Sequence, residues 1–251
     1  MSDMQLIAGP FLMLARIGGM LIYVPVPGTK SAPPLVKAVL AICLSVALLP
    51  ATPAFHPHPA GFGQLALWLV GEMILGLMVG LFVGFLSEGL SFGLQAIAVQ
   101  AGFSYASTID PNNETDSGML QALAQIISSL LFFQYSGDGV VIRAFSQSLT
   151  RWPPGGGSPG WSALEAISAF GSSMFELGLR LALPVAALLL LADISLALMA
   201  RIQSQLQLLS LAFPVKMLGS LVILAMILPV IPALYRTGMH QVITHLGLLV
   251  K

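Results

Sequence analysis

Apolar runs separated by short polar punctuation set the plan of this chain. Met4 to Tyr23 is the first run, interrupted by Pro10 and Arg16. Pro25-Val26-Pro27-Gly28 predicts a turn. Leu35 to Leu49, about 15 residues, is short for a membrane crossing. Pro50 to Pro59 predicts a rigid proline-rich loop. Gln64 to Phe85 predicts a long apolar helix in which Gly76, Gly80 and Gly84 recur every fourth residue. That spacing lays a smooth stripe on one face, where another helix can approach closely. Glu72 and Glu88 bracket the stripe, as ionised groups at a wet edge or as neutral groups hydrogen-bonded inside.

Ser87 to Ala101 is less apolar and carries Ser91, Gln95 and Gln100. Such a helix suits an interior or pore-facing position better than lipid. Gly102 to Ser117, GFSYASTIDPNNETDS, is the most polar stretch of the chain. Its alternating Asp110, Asn112, Glu114 and Asp116 do not make a calcium loop, because Thr115 stands where glycine is needed and Gln121 where glutamate is needed. Physics alone reads it as an exposed loop ending in a helix cap at Asp116 or Ser117. The functional alternative is a loop lining or blocking an aqueous path. Met119 to Gln134 predicts an apolar helix with a polar seam (Gln121, Gln125, Ser128, Ser129). Gly137-Asp138-Gly139 predicts a turn, and Val140 to Leu149 a short helix bearing Arg143. PPGGGSPG, Pro153 to Gly160, predicts a flexible linker, followed by an amphipathic helix over Ser162 to Leu179. A polar tail, Leu234 to Lys251, carries Arg236, His240 and His245.

Between them, Leu181 to Pro232 holds two apolar runs flanking the polar knot Arg201-Ile202-Gln203-Ser204-Gln205, the pattern of a helical hairpin. Asp193 sits inside the first run and Lys216 inside the second. A charge at the centre of an inserted helix costs roughly 2.5–3.5 kcal/mol, so each needs a partner or a wet cavity. With the turn at Ser204/Gln205, the two are equally far from it and can pair. The alternative has each charge meet a neighbouring subunit. Pro184 and Pro214 each remove one intrahelical hydrogen bond, and bent helices are expected there.

Composition moves the chain out of the soluble class. It is 57% hydrophobic and 8% charged, with mean hydropathy +0.91, against about a quarter charged in soluble domains. This is an integral membrane protein or a subunit buried in a hydrophobic assembly. Ten basic residues balance ten acidic ones, so net charge points to no nucleic-acid partner. No basic residue precedes the first apolar run, which reads as a retained helix and not as a signal peptide. Cys43, the single cysteine, reads as a small core residue.

Catalytic and cofactor motifs are missing. There is no GxxxxGK(S/T), GxSxG or HExxH. His56-Pro57-His58 has no Cys, Asp or Glu nearby to complete a ligand set, and His240 and His245 are poorly spaced to share a metal. An aspartyl protease would need a second intramembrane aspartate beside Asp193. No enzyme activity, cofactor or metal is expected. No internal repeat is visible, which disfavours a carrier built from inverted halves.

The landmarks together resemble the FliR family, the flagellar export-gate proteins whose injectisome relatives serve type III secretion. The resemblance covers nearly the whole chain. ARIGGMLIYVPVPGTKSAPPLVKAVLA (Ala15 to Ala41) is similar to that family's opening helix, turn and second helix. GEMILGLMVGLFVGF (Gly71 to Phe85) is similar to its glycine-striped helix, and AGFSYASTIDP (Ala101 to Pro111) to its polar loop. GLRLALPV (Gly178 to Val185), Asp193, Ala200-Arg201 and FPVK (Phe213 to Lys216) match its closing hairpin. One departure is visible: Ser204-Gln205 and Gln207 replace the usual proline-glutamine and asparagine at the tip.

The resemblance implies an all-α, helical integral membrane protein with kinked helical hairpins, assembling into a helical ring. It implies a FliP-like part over 1–152, the flexible linker over 153–161 and a FliQ-like hairpin part over 162–251. The implied partners are FliP-like and FliQ-like membrane subunits, an FlhB-like subunit and unfolded export substrates in transit. The implied location is the bacterial inner membrane at the flagellar basal body, with the assembled gate partly on the periplasmic side. The polar loop becomes a channel plug, made of Phe103, Ser104, Tyr105, Ala106, Ser107, Thr108, Ile109, Asp110, Pro111, Asn112 and Asn113. Gly76, Gly80 and Gly84 become helix-packing positions, and Asp193, Lys216 and Arg201 buried charges. A virulence injectisome subunit, a self-contained transporter or channel, and an intramembrane enzyme are the competing readings.

Overall fold

A computed structural model describes residues 3–24, 33–48, 61–103, 119–156, 161–202 and 208–250. Every regular element among them is helical. The helices are α1 (Asp3–Leu21), α2 (Pro34–Leu48), α3 (Phe62–Ala101), α4 (Met119–Gln134), α5 (Gly137–Arg151), α6 (Trp161–Ile202), α7 (Leu208–Ile227) and α8 (Ile231–Val250), with a 3₁₀ turn, Leu228–Val230, before α8. Among the described residues three stretches are long and apolar enough to cross a membrane: Phe62–Ala101, Ile167–Arg201 and Pro214–Leu246.

Two pairs of predicted helices are single helices. The segments 64–85 and 87–101 join in the 40 residues of α3, and 162–179 joins the first hairpin arm in the 42 residues of α6. At about 1.5 Å per residue each is about 60 Å long, twice the ~30 Å of a hydrocarbon layer. The glycines of α3 do not break it, and Pro10, Pro184 and Pro214 stand inside α1, α6 and α7 without ending them. The chain forms two compact units. One comprises Met1–Leu86, Ser129–Ser172 and Met239–Lys251, the other Ser87–Ser128 and Ser173–Gly238. α3, α4, α6 and α8 each contribute to both units.

In the first unit α1 lies directly on α3, backbone to backbone. A Cβ on Gly76 would overlap the carbonyl of Arg16, one on Gly80 the carbonyl of Met20, and one on Gly84 would lie 2.9 Å from the Tyr23 carbonyl oxygen. Gly19 of α1 returns the relation, its missing Cβ making room for the Met73 carbonyl. Leu12, Met13 and Ile17 of α1 and Phe82 and Val83 of α3 are fully buried around this seam.

That approach buries a charged cluster. Arg16 is completely enclosed, and its Nε donates to Glu72 Oε2. Nη1 donates to the Ser148 carbonyl at 3.1 Å and to Ser148 Oγ at 3.3 Å, and Nη2 to the Trp152 carbonyl at 2.9 Å. Both carbonyls lie at the C-terminal end of α5, where the macrodipole is negative; that of Ser148 also accepts the Trp152 N–H at 2.9 Å, and that of Trp152 lies beyond the last helical turn. The other oxygen of Glu72 accepts the Gly155 N–H at 2.9 Å. Gly155 has φ +82°, and a Cβ there would crowd the Trp68 ring at 3.0 Å. The backbone at Trp152 and Gly155 is therefore tied to Arg16 and Glu72. Residues 157–160 of the predicted linker lie outside the described residues.

The turn expected at Gly137–Gly139 is displaced. Tyr135 and Ser136 form the corner, with Ser136 at φ 55°, and Gly137 already opens α5. Gly137 is needed for space, since a Cβ there would strike the Phe132 ring. Phe82, Phe170 and His245 complete this unit as an aromatic group, with Phe82–Phe170 centroids 5.3 Å apart and Phe170–His245 5.5 Å.

Two sets of substitutions test these contacts in the purified protein. Gly71 has nothing within 4 Å of its missing Cβ, so Gly71→Ala should leave the thermal midpoint unchanged or raise it, alanine being favoured in helices by up to ~1 kcal/mol. Gly76→Ala should instead lower stability by about 1–3 kcal/mol through overpacking. Arg16→Met should cost about 3–5 kcal/mol by stranding Glu72 in the core, and Arg16→Met with Glu72→Leu should recover most of that loss. Denaturation in detergent, followed by far-UV circular dichroism, reads both.

Candidate functional site

The second unit is built on a second glycine contact. Gly89 and Gly93 of α3 face Gly178 of α6, where a Cβ would lie 2.8 Å from the Gly89 carbonyl oxygen and 3.2 Å from the Gly93 nitrogen. Phe92 and Phe175 meet edge to face beside it, centroids 5.3 Å apart. Leu90, Leu94 and Ile97 of α3, Val185 and Leu189 of α6, Leu224 of α7 and Ile231 and Tyr235 of α8 are buried. Ser128 of α4 donates to Ser87 of α3 at 2.7 Å, so the predicted polar seam is partly spent inside the unit.

Within this unit the two hairpin charges pair. Lys216 Nζ lies 2.8 Å from Asp193 Oδ1 and 3.0 Å from Oδ2. A third group joins them: Gln100 Nε2, on the last turn of α3, donates to Asp193 Oδ2 at 3.4 Å. The lysine side chain is only 11% exposed, but that of Asp193 is 42% exposed. The cation is therefore sheltered while the carboxylate faces outward among Leu190, Leu191 and Ile194, which are all exposed. A charge on each arm costs less when the two neutralise each other at one depth. The arrangement holds two arms and one helix end together. Among the described residues no group of three His, Cys, Asp or Glu could hold a metal.

The predicted positions divide as follows. Gly76 and Gly80 lie against α1, and Gly84 against Tyr23 just beyond its end. Asp193 and Lys216 come together, the first of the two expectations for them. Arg201, expected as a buried charge, is exposed in the last turn of α6. Of the predicted loop, Phe103 is buried at 9% exposure, just beyond Gly102, whose φ of +88° ends α3. Ser104 to Asn113 lie outside the described residues, as does the hairpin tip, 203–207. Cys43 is exposed, contrary to a core position. The residues missed were Arg16, Gln100 and the glycines at 89, 93 and 178. An arginine in one apolar run and a glutamate in another was the available signal for the first.

The pair is tested by charge exchange. Asp193→Lys alone and Lys216→Asp alone should each lower the yield of folded protein, because each places two like charges together. The double exchange should restore at least half of the wild-type yield, measured by size-exclusion chromatography in detergent, since coupled neighbours are non-additive.

Comparison with known proteins places this architecture. The family described as "Bacterial export proteins, family 1" matches residues 7–242. The Flagellar biosynthetic protein FliR of Escherichia coli (strain K12) is 29% identical over 222 residues, covering 88% of this chain and 84% of its own length. The protein of the same name from Pectobacterium carotovorum subsp. carotovorum is 25% identical, with 88% and 85% covered. That from Bacillus subtilis (strain 168) is 24% identical, with 92% and 90% covered. With the match running through both units and all eight helices, this chain belongs to family 1 of the bacterial export proteins.

Proposed function

We propose that this chain is a non-enzymatic core subunit of the flagellar type III secretion export gate, forming part of the channel through which unfolded substrates leave the cell. The observation that carries this reading is the family match over residues 7–242, made with relatives named for flagellar biosynthesis. That naming favours the flagellar reading over a virulence injectisome.

The surface supports an assembled state. The most apolar windows of Ile167–Arg201 and Pro214–Leu246 are only 22% and 17% buried within the chain. Leu183, Leu191, Leu198, Leu218 and Met226 are all more than half exposed. So much apolar surface needs lipid or protein against it. FliP-like and FliQ-like subunits cover it in this reading, and an FlhB-like subunit sits at the entrance. The chain belongs in the bacterial membrane; the finer placement, at the basal body with the gate partly periplasmic, is part of the proposal. So are the likeness of 1–152 to FliP and of 162–251 to FliQ, and the role of Phe103 to Asn113 as the plug of the closed channel.

Co-expression tests it. The chain should co-purify in one detergent-stable complex with its FliP-like and FliQ-like partners and should be poorly soluble without them. Deleting Gly102–Asn113 should leave that complex intact but raise its ion conductance in a planar bilayer severalfold. A fully active transporter from this polypeptide alone would refute the reading.

A further inference from the structure

We propose that Gln100 is a positioning residue that ties the last turn of α3 to the hairpin through the Asp193–Lys216 pair. The argument begins with what that turn lacks. The final carbonyls of a helix have no intrahelical donors, and terminal turns fray at little cost. Here the helix stops at Gly102, whose N–H bonds the Val99 carbonyl at 3.1 Å in the tight i to i+3 pattern. Val99 is 58% exposed and contributes no anchor. Ala101 and Phe103 are buried, which resists withdrawal of the turn. Apolar contact is non-directional, however, and leaves rotation about the helix axis weakly defined. Among the described residues, the directional side-chain link on this turn is the Gln100 amide on Asp193 Oδ2.

That link is long at 3.4 Å, and its acceptor makes it count. Asp193 is a carboxylate with both oxygens already engaged by a lysine that is 11% exposed. An ionised acceptor strengthens a hydrogen bond beyond a neutral contact, even with Asp193 itself 42% exposed. The pair also gives Gln100 a fixed target, since Lys216 from the opposite arm immobilises the carboxylate. The hairpin charges thus do more than neutralise each other. They provide an anchor on α6 and α7 for the end of a helix far away in sequence. Gln100 stands three residues before Phe103, so under the export-gate reading, on which its functional weight rests, it sets where the polar loop departs.

Hydrogen–deuterium exchange on the full chain, purified with its partners, tests the tether directly. In Gln100→Leu, amides of residues 97–103 should exchange roughly tenfold faster, the factor expected for one hydrogen bond to a charged group. The rest of α3 should keep its protection. Gln100→Asn, polar but one methylene too short to reach, should behave like Gln100→Leu; a merely polar requirement would leave it like wild type. In a background of Asp193→Leu with Lys216→Met, adding Gln100→Leu should change nothing more. Unchanged exchange in Gln100→Leu, or equal acceleration in both backgrounds, overturns the proposal. Conductance of the same complexes is read separately. Faster exchange with unchanged conductance keeps the tether and counts against the plug role of the loop; faster exchange with a leaky gate supports both.

Discussion

A charge removed from water has to be answered inside the protein, and this chain has few charges with which to do it. Arg16 and Glu72 show the closed solution. Three guanidinium nitrogens and both carboxylate oxygens are used, and their partners come from α1, α3, the end of α5 and the turn after it. A buried pair of this kind adds little net stability over an apolar substitute. What it adds is specificity, because only one register of α1 on α3 brings the guanidinium to the carboxylate and to the α5 carbonyls together.

The glycines make that register reachable. Glu72 and Gly76 lie one turn apart on the same face of α3, and the missing side chain at Gly76 admits the backbone of Arg16 itself. Close approach and charge satisfaction are therefore the same contact seen from two sides. In the second unit Gly89, Gly93 and Gly178 repeat the device without an enclosed charge. There the charges sit on the hairpin arms, and their solution is open: the lysine is covered and the carboxylate half exposed. Two units with one packing principle thus differ in how much of their polarity they keep for themselves.

This difference bears on the export role. The first unit contains its charges and ties the backbone at Trp152 and Gly155 to them. The hairpin arms of the second present leucine, isoleucine and methionine outward along most of their length. The assembly proposed above calls for such a division, with one region specified by its own contacts and another completed by its surroundings.

Much was legible in the residues alone. Period and composition determined an all-helical membrane chain, the two apolar hairpin arms, the stripe of Gly76, Gly80 and Gly84, and the pairing of Asp193 with Lys216. These are local or symmetric properties, set by spacing along one helix or about one turn. Tertiary structure decided the rest. Which charge Arg16 would meet, which carbonyls would receive it, and that Gln100 would reach Asp193 depend on residues 56 to 136 positions apart. It also decided that the backbone at Gly155 would be tied to Glu72, that Ser136 would turn the corner in place of Gly137, and that Arg201 would be left exposed. Composition describes the freedom a segment would have by itself, whereas a hydrogen bond to Glu72 or a neighbouring Phe132 ring removes it, and only the folded chain brings those groups within reach.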